Sequence, residues 1–550
     1  MRRANSVSDH VVHDGTDDFR YGTDDFGIGA FPASASWVVD PDAMPWRRGV
    51  DDLRRRTQSA VPVLLRHRRV PPLGSARVAA TLMRAGAPWA LRHRKDPQSS
   101  VAQAGLAARL RPAFERLGPT FIKLGQLIGG ADNFLPDELV GEFKLCHDRV
   151  PAESFDYVRE VVEAELGGPL RDLFAEFDRT PIAAASVAQT HGARLANGEE
   201  VVVKVQRPGI KKRVTRDLGI LTWLAPILER HVPQARLANL PAYLALFAQT
   251  IVEELDFRLE AENMLDIARV LATAPGRAVI VPRPHPTLVT PRVLVMERIR
   301  GFRTDEDQAI VDAGVDPTPV FRALMNMLIE GAMIHGVFHG DLHGGNMMIT
   351  PTGQTCLFDF GITGRFDDDA ARRALMGFMM STITADIPAQ LEYFRDLGGF
   401  PPDANLDKVR ADLDLGGDNP HAASAEAVAT TMRDTATKLV AHGGRMPKPL
   451  FLYLKGAVYL MGAIATLGAD VDILQELSYT VDYLTKTHGE QFKTDIGLDV
   501  EATPVNSDKL LSLVKATAGV DADATSVSFR DLQRGQAGQV KDAAQAGKTD

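Results

Sequence analysis

Cysteine is nearly absent from this 550-residue chain, which has two, Cys146 and Cys356. Two are too few for a disulfide framework, and their spacing matches no zinc site. A reducing compartment is the expected setting. Cys356 stands in an apolar run just before Asp359, where a small core residue is expected. A secretory pattern is missing too: residues 1–30 hold six Asp and no apolar stretch, so export is not expected. Long apolar runs are scarce. The longest, Leu450 to Ala469, has the length to span a bilayer, but Lys455 interrupts it. A charge there is costly in lipid, so a buried helix of a large lobe is the expectation. The net charge of −9 gives no reason to expect a nucleic-acid partner.

What is present is ordinary globular composition, 45% apolar and 24% charged, in a chain long enough for several domains. Residues 1–45, rich in Asp, Gly and Ser, are expected to be disordered. Residues 46–104 form a basic amphipathic region. Between 46 and 95 thirteen Lys and Arg face only Asp51 and Asp52, with Trp46, Leu64, Leu65, Leu82, Met83, Trp89 and Leu91 interleaved. Such a stretch suits an anionic membrane surface, or equally a solvated helical face or an RNA-attracting patch. Pro62, Pro71, Pro72 and Pro88 are expected to break any long helix in it. Residues 105–180 read as a helical extension, 181–300 as a small β-rich lobe, 301–495 as a helical lobe and 496–550 as a flexible tail with a possible short helix at 507–516. Within the small lobe, Asn197-Gly198 predicts a two-residue hairpin turn, and Val201 to Val205 a buried strand.

The chemistry concentrates in His339-Gly340-Asp341-Leu342-His343-Gly344-Gly345-Asn346 and Asp359-Phe360-Gly361. Phosphoryl transfer needs a few carboxylate or amide oxygens around Mg²⁺ and the moving phosphate. Asp341 and Asn346 are five apart, as in the H-R-D-L-x-x-x-N loop of kinases. Met347 to Thr350 and Thr355 to Phe358 read as a hairpin that delivers two metal ligands, Asn346 and Asp359, to one place. Asp341 would be the base or orienting group. Lys204, in Val-Val-Val-Lys, resembles the phosphate-binding lysine of the V-A-I-K strand. Its burial needs a partner, and Glu254 and Glu260 are both candidates. Met296 and Glu297 would form the hinge whose backbone meets the adenine edge.

Two expected parts are missing. No G-x-G-x-x-G precedes Lys204; Ala183-Ala184-Ala185-Ser186 stands there, and alanine resists the positive φ that lets glycine drape on phosphates. No A-P-E follows Gly361, so no segment that docks protein substrates is apparent.

These features together resemble the UbiB (AarF, ABC-one) atypical kinases. Lys123-Leu124-Gly125-Gln126 is similar to that family's K-x-G-Q, Ala183 to Gln189 to its alanine-rich nucleotide loop, and Glu254-Leu255-Asp256 to its E-x-D. The resemblance covers about residues 105–480 and implies an α+β, bilobal protein-kinase-like fold with a helical N-terminal extension. It implies an ATPase or atypical kinase using ATP and Mg²⁺ and supporting quinone or isoprenoid-lipid metabolism, with a lipid or small molecule as substrate. The implied location is cytoplasmic, peripheral to the inner face of the cell membrane. By the same resemblance Ala183, Ala184, Ala185 and Ser186 form the nucleotide loop, Lys204 pairs with Glu260, and Lys123 and Gln126 lie across the substrate cleft with Lys123 near Glu254 and Asp256. The sequence departs from the family pattern at Ala131 and Asn133, and lacks the proline of D-x-H-P-G-N. Aminoglycoside and choline phosphotransferases also use H-G-D-L-H-x-x-N but lack K-x-G-Q and the alanine loop. A non-catalytic nucleotide-binding scaffold is the third reading. The phosphoryl acceptor and the oligomeric state stay open at this level.

Overall fold

Alternating burial along one valine-rich strand sets the upper half of the molecule. Val201, Val203 and Val205 pack against Val158, Val161 and Val162 of the helix behind the sheet, while Val202 and Lys204 turn to the other side. The computed structural model describes residues 37, 40–66, 72–93, 99–130, 137–146, 150–231, 240–273, 279–304, 306–384, 386–413, 435, 438–468, 470–496, 515, 526–528 and 530–531.

Helices α1 (Val50–Leu64), α2 (Pro72–Arg92), α3 (Ser100–Leu117), α4 (Pro119–Gly129) and α5 (Asp137–Phe143) come first. Next are α6 (Phe155–Leu166), α7 (Leu170–Leu173) and strands β1 (Phe174–Phe177), β2 (Ala183–Ala184), β3 (Ala188–Leu195) and β4 (Glu200–Gln206). Helices α8 (Ile210–His231), α9 (Leu240–Ile251) and α10 (Phe257–Thr273) follow, then β5 (Val279–Ile280), β6 (Pro284–Val289), β7 (Val293–Glu297) and β8 (Phe302–Arg303). The lower half holds α11 (Asp307–Asp312), α12 (Pro317–Met333), β9 (Val337–His339), β10 (Met347–Ile349), β11 (Thr355–Leu357) and β12 (Thr363–Arg365). It closes with α13 (Asp369–Thr384), α14 (Ile387–Asp396), α15 (Leu406–Leu413), α16 (Lys448–Leu467) and α17 (Ile473–Ile496).

The upper sheet is antiparallel in the order β1-β3-β4-β7-β6, with β2 on β3. The lower sheet runs β5-β11-β10-β8, and β9 pairs with β12 beside it. Apolar faces of α10, α12 and α16 share one large core with the lower hairpin. Each large side chain fully buried there contributes about 1.5–3 kcal/mol. The fold is α+β and bilobal, with a helical N-terminal region, as the sequence implied.

Several local expectations change. Only Gly198 of the hairpin turn has positive φ, at 92°, and Leu195 N–H donates to Glu199 O at 2.9 Å, so the loop holds three residues rather than two. Trp37 and Met44 are buried, within the segment expected to be disordered; Trp37 joins the β4 cluster and donates from Nε1 to Glu199 at 2.5 Å. Pro62 and Pro88 lie inside their helices without ending them, and Pro72 opens α2 at the position proline favours. Part of the tail is docked: Val527 is buried, and its carbonyl accepts from Ile473 N–H at 2.8 Å. The possible helix at 507–516, the departures Ala131 and Asn133, and Pro71 lie outside the described residues, save Lys515 in the first. Among the described residues no helix is long and apolar enough to cross a membrane.

Helix α4, which carries Lys123 and Gln126, is apolar almost all round and correspondingly buried. Its glycines let it sit close to α5. A Cβ on Gly129 would meet the Phe143 carbonyl and the Lys144 nitrogen at 2.9 Å, both main-chain atoms that cannot turn aside. Gly129→Ala should therefore cost about 1–3 kcal/mol in chemical denaturation. Gly141→Ala, whose Cβ would meet nothing within 4 Å, is the control expected to stay near wild type.

Candidate active site

A cleft of about 1050 Å³ opens between the upper sheet, the β10–β11 hairpin and α4. It is lined by Lys123, Gln126, Ala183, Ala184, Ala185, Lys204, Met296, Glu297, Asp341, Asn346, Asp359 and Lys455, among others. Most of the residues singled out from the sequence therefore meet in one place.

Lys204 is its centre. Nζ lies 2.6 Å from Glu260 Oε1 and 3.0 Å from Asp359 Oδ1. Glu260, on α10, and not Glu254 is thus the glutamate partner of Lys204. Burial weakens the lysine's hold on its proton, but the Asp359 and Glu260 carboxylates outweigh burial and keep it above the ordinary lysine range. Burial pushes the Glu260 carboxyl up, with Lys204 opposing. For Asp359 burial is outweighed by Lys204 and Lys123, so it is held below the carboxylate range and stays ionised.

The hairpin brings the other oxygen ligands together. Met347 pairs with Leu357 and Ile349 with Thr355, and Phe358 N–H donates to Asn346 O at 2.9 Å, which aligns Asn346 with Asp359. Asn346 Nδ2 donates to Asp341 O at 3.0 Å. His339 is buried between them. Its Nδ1 accepts from Asp341 N–H at 3.1 Å, so the proton sits on Nε2, which donates to Phe358 O at 3.0 Å. Burial lowers the pKa of this imidazole, which favours that neutral form. Asp359, with φ of 56°, is the one non-glycine residue at positive φ among the described residues. Such strain persists where the surroundings over-determine it.

Lys123 Nζ pairs with Glu254 Oε2 at 3.1 Å. Burial pushes Glu254 up to about 7, with Lys123 opposing. Asp256 does not join this pair, contrary to the expectation: it pairs with Arg258 at 2.8 Å and accepts from Arg258 N–H at the start of α10. The backbone is extended at Asp256, just after the turn Glu253–Leu255, which separates the two carboxylates. Ser186 also falls outside the cleft lining. It is 1% exposed, behind a tight turn in which Ala185 N–H donates to Ala188 O at 2.8 Å. Ala183 and Ala184 form a strand on β3 rather than an open loop.

Two participants were not singled out for these roles. Arg207 clamps the alanine turn from behind, donating to Ala185 O at 2.7 Å and pairing with Glu153 at 2.8 Å. Lys455, 6% exposed on α16, pairs with Asp341 Oδ1 at 2.7 Å. Its signal was in plain sight as the lone charge in the longest apolar run. For Asp341 burial is outweighed by Lys455, His343 and Lys123, which hold the carboxyl below its ordinary range.

Asn346 and Asp359 offer oxygen donors suited to Mg²⁺, which keeps waters and takes phosphate oxygens. Among the described residues no group of three or more His, Cys, Asp or Glu forms an all-protein metal cage. The donors present fit a metal that arrives with a nucleotide.

Residues 145–394 match the ABC1 atypical kinase-like domain. That match spans 250 of the chain's 550 residues. An uncharacterized protein of Mycobacterium tuberculosis is 42% identical over 54% of this chain and 62% of its own length. A probable protein kinase UbiB of Marinobacter nauticus is 32% identical, over 59% and 58% of the two chains. An uncharacterized aarF domain-containing, chloroplastic protein kinase of Arabidopsis thaliana is 29% identical, over 71% and 77%. The chain spans about three fifths of the first two relatives. Lys123, Gln126 and Lys455 lie outside the matched kinase-like segment, so flanking helices complete its cleft.

Two outcomes follow from these pairs. Lys455→Met leaves Asp341 a buried, unpaired carboxylate and should cost about 3–5 kcal/mol in chemical denaturation. Adding Asp341→Asn should recover part of that loss. Glu254 binds its proton more tightly folded than unfolded, so its contribution is full below the ordinary Glu range and lost as pH rises through about 7. Melting temperature measured from about pH 5 to about pH 8 should therefore fall for the wild type relative to Glu254→Gln.

Proposed function

We propose that this protein binds Mg-ATP in the cleft and transfers the γ-phosphate to water, a small molecule or a lipid, in support of quinone or isoprenoid-lipid metabolism at a membrane surface. One observation carries the reading: Lys204 meets both Glu260 and Asp359 at hydrogen-bond distance, and Lys204 and Asp359 line a cleft that also holds Asn346 and Asp341. Lys204 holds the α/β phosphates, and the Met296–Glu297 backbone meets the adenine edge. Asn346 and Asp359 would hold Mg²⁺, which would supply charge neutralisation at the phosphates. Asp341 stays ionised beside Lys455 and orients the acceptor hydroxyl or water, which a loose transition state needs more than it needs a strong base. Lys123 stands over the transferred phosphate. There, with Gln126 on the same helix, it keeps protein substrates out and leaves room for a small acceptor.

The membrane part of the proposal moves to α2. Much of the preceding basic segment packs inward, with Trp46, Val50 and Val61 buried. On α2, Met83 is 62% and Leu91 70% exposed, and Arg77, Arg84 and Arg92 are exposed as well. Exposed apolar and cationic side chains together suit an anionic interface.

Mg-ATP turnover tests the enzyme reading: the wild type should hydrolyse ATP, and Asp359→Asn should be slower by about 100-fold or more. Equal absence of turnover in both, with nucleotide still bound, would favour a scaffold. Co-sedimentation with vesicles rich in anionic lipid tests the surface. Binding should weaken with salt and fall further in Met83→Asp with Leu91→Asp.

A further inference from the structure

The N-terminal segment directs two of its arginines onto the helix that carries Glu260. Arg47 makes a two-pronged pair with Glu262, Nε and Nη2 donating to the two carboxylate oxygens at 2.7 Å each. Arg54 donates from Nη1 to Asn263 Oδ1 at 2.9 Å. Trp46 and Val50, beside them, are buried in the large core. Glu262 and Asn263 are buried too. Helix α10 thus offers Glu260 to Lys204 and, two and three residues on, Glu262 and Asn263 to the N-terminal segment.

Asn263, 1% exposed, extends this contact to the metal-ligand turn. Its Nδ2 donates to Phe360 O at 2.8 Å, and its Oδ1 also accepts from Arg365 Nη2 of β12 at 2.8 Å. One amide side chain therefore fastens α1, α10, β12 and the Asp359–Gly361 turn. A carboxamide both accepts from two guanidinium groups and donates to a carbonyl; a carboxylate there loses the donor and an apolar group loses everything. The residue that presents Phe360 O is the neighbour of Asp359, and the helix that presents Asn263 also presents Glu260. Both partners of Lys204 are thus held through one node.

We infer that residues 44–64 are an intramolecular clamp that holds α10 and the Asp359–Gly361 turn in the arrangement where both carboxylates meet Lys204. Arg47, Arg54 and Asn263 are positioning residues: they touch no cleft contents and act through Glu260 and Asp359. Arg47 cannot serve an anionic surface and Glu262 at once, which fits the assignment of membrane contact to α2. The consequence for turnover rests on the ATP reading above; the consequence for α10 does not.

The test uses the full chain with Arg47→Ala, Glu262→Gln, the double variant, Arg47→Lys and Asn263→Asp. Amide hydrogen exchange in residues 257–273 and steady-state Mg-ATP kinetics are measured on each, with melting temperature as a control for folding. Arg47→Ala should speed exchange in 257–273 and lower kcat about tenfold with a smaller change in KM. Glu262→Gln should do the same, and the double variant should lose no more than either single one, because the pair acts as a unit. Arg47→Lys, which keeps the charge but not the fork, should recover part of the loss. Asn263→Asp keeps both acceptor contacts and loses the Phe360 donor, so it should lower kcat while exchange in 257–273 stays near wild type. Unchanged exchange in Arg47→Ala would overturn the clamp, as would losses that add in the double variant. If the wild type turns over no ATP, the enzyme reading falls, and the exchange data alone decide the clamp.

Discussion

A single buried ammonium governs the arrangement. Lys204 sits on a strand whose other face is hydrophobic core, so its side chain has one direction to go, into the cleft. A charge taken out of water costs several kcal/mol unless it is paired. The partners come from two separate pieces of chain: Glu260 from α10 and Asp359 from the turn after the lower hairpin. The upper sheet, α10 and the lower lobe are therefore held in register by one desolvated cation. The strained φ of Asp359 and the buried node at Asn263 are what that register requires of its surroundings.

The same logic explains which parts of the site were legible in the sequence. Asp341, Asn346 and Asp359 stand close together in the chain, and their spacing alone forecast a hairpin that the structure has. Lys204 was legible because a charge in a valine run needs a reason. Spacing alone left its partner open, because Glu254 and Glu260 both stand on the segment after α9; the family resemblance pointed to Glu260, which the structure has. Asp256 was misassigned for a related reason: an acidic residue at a helix start is as useful for capping as for pairing, and only the backbone direction after Leu255 separates the two uses.

The N-terminal basic region shows the limit of composition. Thirteen cations between 46 and 95 looked like one surface. In the fold they divide by depth. Arg47 and Arg54 are drawn inward by Glu262 and Asn263, residues more than two hundred positions away, while Arg77, Arg84 and Arg92 stay in solvent. Charge count is local information, whereas the carboxylates that claim those charges are set by the long-range fold. Lys455 makes the same point in reverse. Its apolar neighbours correctly forecast a buried helix, but its role depends on Asp341 lying opposite, more than a hundred residues earlier in the chain.

The cleft's charges also differ in how firmly they are held. Lys204 has two carboxylate partners and Lys455 has Asp341, which remains ionised well below neutral pH. Lys123 has Glu254, pushed up to about 7, so its counter-charge is more readily lost by protonation than those of Asp341 and Asp359. Gly361 leaves the room in which Glu254 packs, since a Cβ there would meet Glu254 Cγ at 3.1 Å. Lys123 lines the cleft together with Lys204 and Lys455. It is carried by α4, outside the kinase-like match. A helix outside the kinase-like match thus brings a buried cation into the same cleft as the Lys204 centre.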